Sequence, residues 1–273
     1  MNPIEILEKK QLSPKTAAVY QSVIRRLQKL NYKFPLKQPE RVKTIQAFFT
    51  THEFKPGTRL DMLNVVIVLR TIEDLPVTQL KILRGELQKE RVEANVDKMK
   101  AVGDSLPTLE QFKADLQKSY DAGEYKRYIV NYLFMNYGVR NMDVDVTIAK
   151  TADDSKNILI LKGKKVTYIR NLYKTVKKHG AKTVTIDDPQ FITAVKKLGE
   201  GPLFTTGQLA NGLRKLYLAK MNEAKIFKML IDEAYDRKDT AEINRLGESR
   251  GTSIATIKKF YDVNAEEEVI REI

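Results

Sequence analysis

The chain has no cysteine, and His52 and His179 are its only histidines. No disulfide framework and no cysteine-based zinc site can be built from it, and a histidine-rich metal site is excluded as well. It also lacks any apolar run approaching the roughly 20 residues that a membrane span needs. The opening Met1-Asn2-Pro3-Ile4-Glu5 has neither the basic start nor the long apolar core of a secretory signal. These absences point to an intracellular protein, cytoplasmic or nuclear in a host, and not to a secreted or membrane protein. A local absence is equally informative. From Lys162 to Lys182 there is no Asp or Glu, while Lys162, Lys164, Lys165, Arg170, Lys174, Lys177, Lys178 and Lys182 all fall there.

What is present fits that reading. Hydrophobic residues make up 42% of 273 positions, enough for a real core in two modest domains or one large one. The net charge of +13 favours a polyanionic partner, most simply nucleic acid. The acid-free segment reads as a strand–turn–strand element suited to lie along a phosphate backbone; a solvated, lysine-rich surface hairpin is the plain alternative.

Periodicity divides the chain. Ser13 and Pro14 open a helix on which Tyr20, Ile24 and Leu27 recur at helical spacing. Further helices are expected over about 40–49, 58–73 and 77–98, giving a helical unit over 1–100. Ala101 to Pro107 reads as a linker. Thr108 and Gln111 then have capping-box spacing, and a helix over about 125–137 ends at Gly138. After Arg140 the period changes: 157–161, 166–169 and 183–186 are short β-rich runs, predicting a small three-stranded antiparallel sheet. The chain is helical again beyond Pro189. The fold class is therefore mainly α with a small antiparallel β-sheet, an N-terminal helical domain followed by an α+β domain over 108–273. The last residues, Asn264 to Ile273, form a short acidic amphipathic tail expected to dock on this domain or on a neighbour.

Several residues in order resemble the tyrosine recombinase (phage integrase) family. Leu12 to Tyr20 is similar to the opening of its core-binding domain, and Leu106 to Phe112 to the start of its catalytic domain. Tyr137-Gly138-Val139-Arg140-Asn141-Met142-Asp143 resembles its first arginine box. Lys258-Lys259-Phe260-Tyr261-Asp262-Val263 resembles its nucleophile box. The resemblance implies two domains clamping double-stranded DNA, a homo-oligomer on DNA (dimer or tetramer), and cleavage and rejoining through a 3′-phosphotyrosyl intermediate without metal or nucleotide cofactor. Arg140 would clamp the scissile phosphate, since guanidinium forks onto two oxygens; a structural Arg140–Asp143 ion pair is the alternative. A hairpin lysine would protonate the leaving oxygen. Lys174, placed at the end of the second strand, is the first choice and Lys164 the second.

The family's His-x-x-Arg box falls here on Lys225 and Lys228, 36 and 33 residues before Tyr261. Lys228 keeps a charge but loses the fork. The third box keeps Leu246-Gly247 but has Glu248 for histidine, with Arg250 or Thr252 as candidate substitutes. Two rival functions follow: a relaxing enzyme like a type IB topoisomerase, and a DNA-binding protein whose catalysis has lapsed.

Overall fold

A computed structural model describes residues 2–34, 42–103, 105–205, 209–218 and 221–261. The chain divides into two compact units, Met1–Asp97 and Lys98–Ile273. Among the described residues no helix is long and apolar enough to cross a membrane.

The first unit is helical: α1 (Pro3–Glu8), α2 (Pro14–Lys29), α3 (Val42–Thr51), α4 (Pro56–Ile72) and α5 (Thr78–Gly103), which continues past the division between the units. Ser13 caps α2 through its hydroxyl, which accepts from the Thr16 amide, as the Ser-Pro opening predicts. α4 is the central helix. Leu63 and Val66 pack with Leu27, Ile45 and Phe49, while Val65 and Leu69 pack with Ile6, Leu7 and Ile24. The short α1, which the periodicity did not predict, supplies two of those residues.

The second unit opens with α6 (Leu109–Asp121) and α7 (Tyr125–Tyr137). Thr108 and Gln111 form the expected capping box, each side chain accepting from the other's amide. α7 ends at Gly138 with φ 55°, the left-handed conformation only glycine adopts without strain. A Cβ there would meet Phe227 at 3.0 Å and Leu246 at 3.1 Å, so the glycine also admits two later helices against the chain.

The sheet has five strands in the order β4-β3-β2-β1-β5: β1 (Val146–Ala149), β2 (Asn157–Lys162), β3 (Lys165–Arg170), β4 (Lys182–Ile186) and β5 (Gly201–Pro202). The three expected strands all form, and β2–β3 and β3–β4 are antiparallel. The sheet as a whole is mixed, because β1 pairs parallel with β2. A four-residue strand spans only about 13 Å, a return that the short 150–156 connection can cover in extended form. The single helical turn α8 (Val176–His179) joins β3 to β4, and α9 (Pro189–Leu198), capped by Asp188, follows. The unit closes with α10 (Leu209–Leu216), α11 (Glu223–Asp236), α12 (Thr240–Arg250) and α13 (Ile254–Phe260). α11 runs through the core, with Ile226 to Ile231 all buried. The amphipathic tail over 264–273 lies outside the described residues.

Candidate active site

A helix ends with carbonyls that have no partner in the helix, and its negative dipole end favours cations. At the C-terminus of α12 three basic side chains answer both needs. Lys182 donates to the Glu248 carbonyl, and to that of Ser249 at 3.3 Å. Arg170 donates to the Ser249 carbonyl at 2.9 Å. Arg140 donates through Nη1 to the Arg250 carbonyl and through Nη2 to Thr252 Oγ1 at 2.9 Å. These cations come from β4, β3 and the segment after α7, so one helix end gathers residues from three parts of the sequence.

Arg140 is held there reciprocally. Arg250 reaches back to the carbonyls of Gly138 at 2.9 Å and Val139 at 3.1 Å. Its other nitrogen donates to Glu223, whose second oxygen accepts from the Asn141 amide at 2.7 Å. The Arg250 guanidinium lies 4.3 Å from the centroid of the Phe227 ring. Each arginine thus fixes the other's backbone, and the one left half-exposed is Arg140. Burial first, then the adjacent Arg250 charge, pulls Arg140 below the ordinary arginine value, while Asp143, Glu223 and Tyr261 act in the opposite direction.

Tyr261 follows α13 directly. Its ring meets Phe227 edge-on at 4.9 Å, and its carbonyl accepts from Lys228 Nζ at 3.3 Å. Ser253 caps α13, its hydroxyl accepting from the Thr256 amide. The turn from α12 to α13, which Arg140 grips at Thr252, is joined to Tyr261 through the seven residues of α13.

The expected site residues fall into four groups. Arg140 reaches the C-terminal end of α12, and Tyr261 lies beyond α13 with its ring against Phe227, over which the Arg250 guanidinium also sits. Lys174 is exposed and has no acidic partner among the described residues. It does not sit at a strand end, because β3 stops at Arg170. It lies in the 171–175 connection, next to Thr175, which abuts α12's last turn: a Cβ on Gly251 would fall 2.2 Å from Thr175 Oγ1. Lys177 and Lys178 are exposed on α8, in the same connection.

Lys162, Lys164 and Lys165 form the second group. They surround the β2–β3 turn, where Lys162 pairs with Lys165. That turn is at the opposite end of β3 from Arg170, roughly 17 Å away at about 3.3 Å per residue. The acid-free segment is thus two basic turns at the two ends of one strand, not one compact hairpin.

Arg170 and Lys182 are the third group. Arg170, expected among the DNA-facing residues, is 1% exposed. Side chains two apart in a strand share a face, and Arg170 follows the buried Val166 and Tyr168 inward. It pairs with the buried Asp143 at 3.4 Å and lies over the Tyr168 and Tyr173 rings. The partner of Asp143 is therefore Arg170, not Arg140, and burial pushes the Asp143 carboxyl above its ordinary value against the pull of Arg170. Lys182 is half-buried beside Tyr173, and burial, then Arg170, lowers its ammonium pKa.

Lys225 and Lys228 make up the last group. Both lie on α11, one turn apart. Lys225 is half-buried and has no ion pair among the described residues. Lys228 is 1% exposed, and its ammonium is already occupied by Asp232 at 2.8 Å and by the Tyr261 carbonyl. Of the residues near the third box, Glu248 is exposed on α12, Arg250 is buried as scaffold, and Thr252 is the one whose side chain touches Arg140. Glu223, which ties Arg250 to Asn141, has no signal in the sequence beyond its place after the Asn222 cap.

No protein-family model matches the chain, and no curated protein matches it. Among solved structures, a crystal structure of XerA recombinase is similar over 100% of this chain and 97% of its own, at 10% identity and a TM-score of 0.37. A likeness that low carries no functional argument, so the function rests on the site.

Proposed function

We propose that the chain binds double-stranded DNA and breaks and rejoins a strand by transesterification at Tyr261. The observation that carries this is the Arg140 grip on Thr252. It fixes a half-exposed guanidinium to the turn that starts α13, the helix that ends at Tyr261. A phenol with an ordinary pKa of about 10 attacks a phosphodiester only where cations take up the charge growing on its oxygens. Arg140 keeps three N–H donors beyond the two it uses, and a guanidinium stays charged at any working pH.

The Tyr261 hydroxyl oxygen forms the new bond to phosphorus, and its proton leaves to solvent. The bond from phosphorus to the 5′ oxygen breaks, and that oxygen takes a proton from a lysine ammonium. Lys174 is assigned this role over Lys164, because it stands beside the α12 terminus while Lys164 is at the far end of β3. Lys225 adds charge to the phosphate from α11. The exposed Lys177 and Lys178 hold the flanking backbone, with the turn of Lys162, Lys164 and Lys165 as a separate contact. Strand exchange would require several protomers on one DNA.

A second reading has its own observation. Lys228, at the place of a second phosphate-binding cation, is buried and neutralised by Asp232, which favours a DNA-binding protein with lapsed catalysis. A nicked suicide duplex carrying the correct site separates the two. Wild type should accumulate a covalent protein–DNA adduct, and Tyr261→Phe should bind equally well and form none. Binding without any adduct from wild type would leave the lapsed reading; an adduct surviving Tyr261→Phe would move the nucleophile elsewhere.

A further inference from the structure

Five hydroxyl side chains surround the α12–α13 turn: Thr175, Ser249, Thr252, Ser253 and Thr256, of which Thr175 Oγ1 is buried with no hydrogen-bond partner among the described residues. Three of the others have their hydrogen bonds within the fold. Ser249 donates to the Tyr137 carbonyl at 2.6 Å and accepts from Arg170. Ser253 and Thr256 bond each other at 2.9 Å, and Ser253 also takes the Thr256 amide. Thr252 differs. Its oxygen accepts from Arg140 at 2.9 Å, but its proton has no acceptor among the described residues. A hydroxyl has one proton and two lone pairs, so this contact uses an acceptor position and leaves the donor free.

The residue is also rigidly placed. Its amide donates to the Gly247 carbonyl at 2.8 Å, the bond that closes α12, and Ser253 starts the next helix. The side chain is half-buried, so its free proton is not enclosed by the core. Thr252 Oγ1 lies 2.9 Å from Arg140 Nη2, so the Thr252 O–H and the unused Arg140 N–H groups stand side by side on the turn before α13.

We propose that Thr252 is a catalytic residue: its hydroxyl donates to a non-bridging oxygen of the phosphodiester that Arg140 clamps. This rests on the transesterification reading above and deepens it. The hydroxyl forms and breaks no covalent bond. It stabilises the oxygen charge that grows as Tyr261 attacks, and its contact with the guanidinium makes it a better donor.

The experiment must separate donation from merely orienting Arg140, because Thr252→Val removes both. Adduct formation is measured in single turnover on a suicide duplex whose 5′ bridging oxygen is sulfur. That leaving group departs without a proton and keeps slow variants measurable. Thr252→Val, which preserves shape, should slow the reaction on the order of 100-fold, and Thr252→Ser should stay within about threefold of wild type. The same pair is then made in Arg140→Ala. A hydroxyl that donates directly still matters without the arginine, so Thr252→Val should slow Arg140→Ala by at least about tenfold more and Thr252→Ser should not. No further slowing in the Arg140→Ala background would overturn the proposal and leave Thr252 as a positioning residue. Equal rates for wild type and Thr252→Val would overturn it outright. No adduct from wild type on the activated duplex would instead refute the transesterification reading, and this proposal with it.

Discussion

Replacing Arg250 with methionine is the sharpest test of how the site is held. The change keeps an apolar side chain of similar length over Phe227 while deleting three hydrogen bonds, to the Gly138 and Val139 carbonyls and to Glu223. Breaking a buried ion pair by removing one partner costs about 3–5 kcal/mol, chiefly by stranding the other charge. Glu223 keeps 18% of its side-chain surface against 5% for Arg250, so water partly relieves it, and the lower end, about 3 kcal/mol, is expected. For a unit of this size that corresponds to a fall of roughly 6–12 °C in Tm. Tyrosine fluorescence reports mainly on the second unit, since Tyr20 and Tyr32 are the only tyrosines of the first. Glu223→Gln on top of Arg250→Met removes the stranded charge and should recover about 1–2 kcal/mol, a non-additivity expected of contacting residues. A wild-type midpoint for Arg250→Met, or strict additivity in the double variant, would refute the reciprocal-arginine scaffold.

Other consequences can be measured independently. DNA affinity should fall steeply with salt, and reversing the charge at Lys174, Lys177 and Lys178 together should weaken binding and flatten that slope by about 3; a titration showing an unchanged slope would take the 171–181 connection off the DNA. Gly251→Ala should destabilise by about 2–4 kcal/mol, combining a left-handed φ of 64° with a Cβ driven into Thr175; urea unfolding at the wild-type midpoint would contradict it. Burial raises the Asp143 pKa above its unfolded value, so in the pH window between the two the folded state holds more of that proton than the unfolded chain does. The stability of wild type relative to Asp143→Asn should therefore be highest below the ordinary carboxylate pKa near 4 and decline as pH rises through the raised one, and a pH series of unfolding midpoints showing the opposite slope would contradict that sign.

Local order was readable from the sequence. Ser13-Pro14, the Thr108–Gln111 box, and Gly138 after the tyrosine-rich helix each set a boundary through one or two residues and one or two hydrogen bonds. Such signals survive without tertiary context because the groups that satisfy them lie within four positions. Arg170 was legible too, had its charge been weighed against strand alternation: Val166, Tyr168 and Arg170 share one face. Lys228 within the apolar run from Ile226 to Ile231 carried a similar warning.

The tertiary structure alone decided which cations meet. That Arg170 rather than Arg140 pairs with Asp143, that Arg140 and Arg250 hold each other's backbone, and that Glu223 joins them depends on contacts spanning 27 to 112 positions. No local spacing encodes such contacts. The sequence by itself determined the longer helices, three of the five strands and the excess of positive charge. Which of those charges stay open to solvent, and which are consumed by the carbonyls at the end of α12, was settled only when that helix end was buried and its unpaired acceptors had to be satisfied.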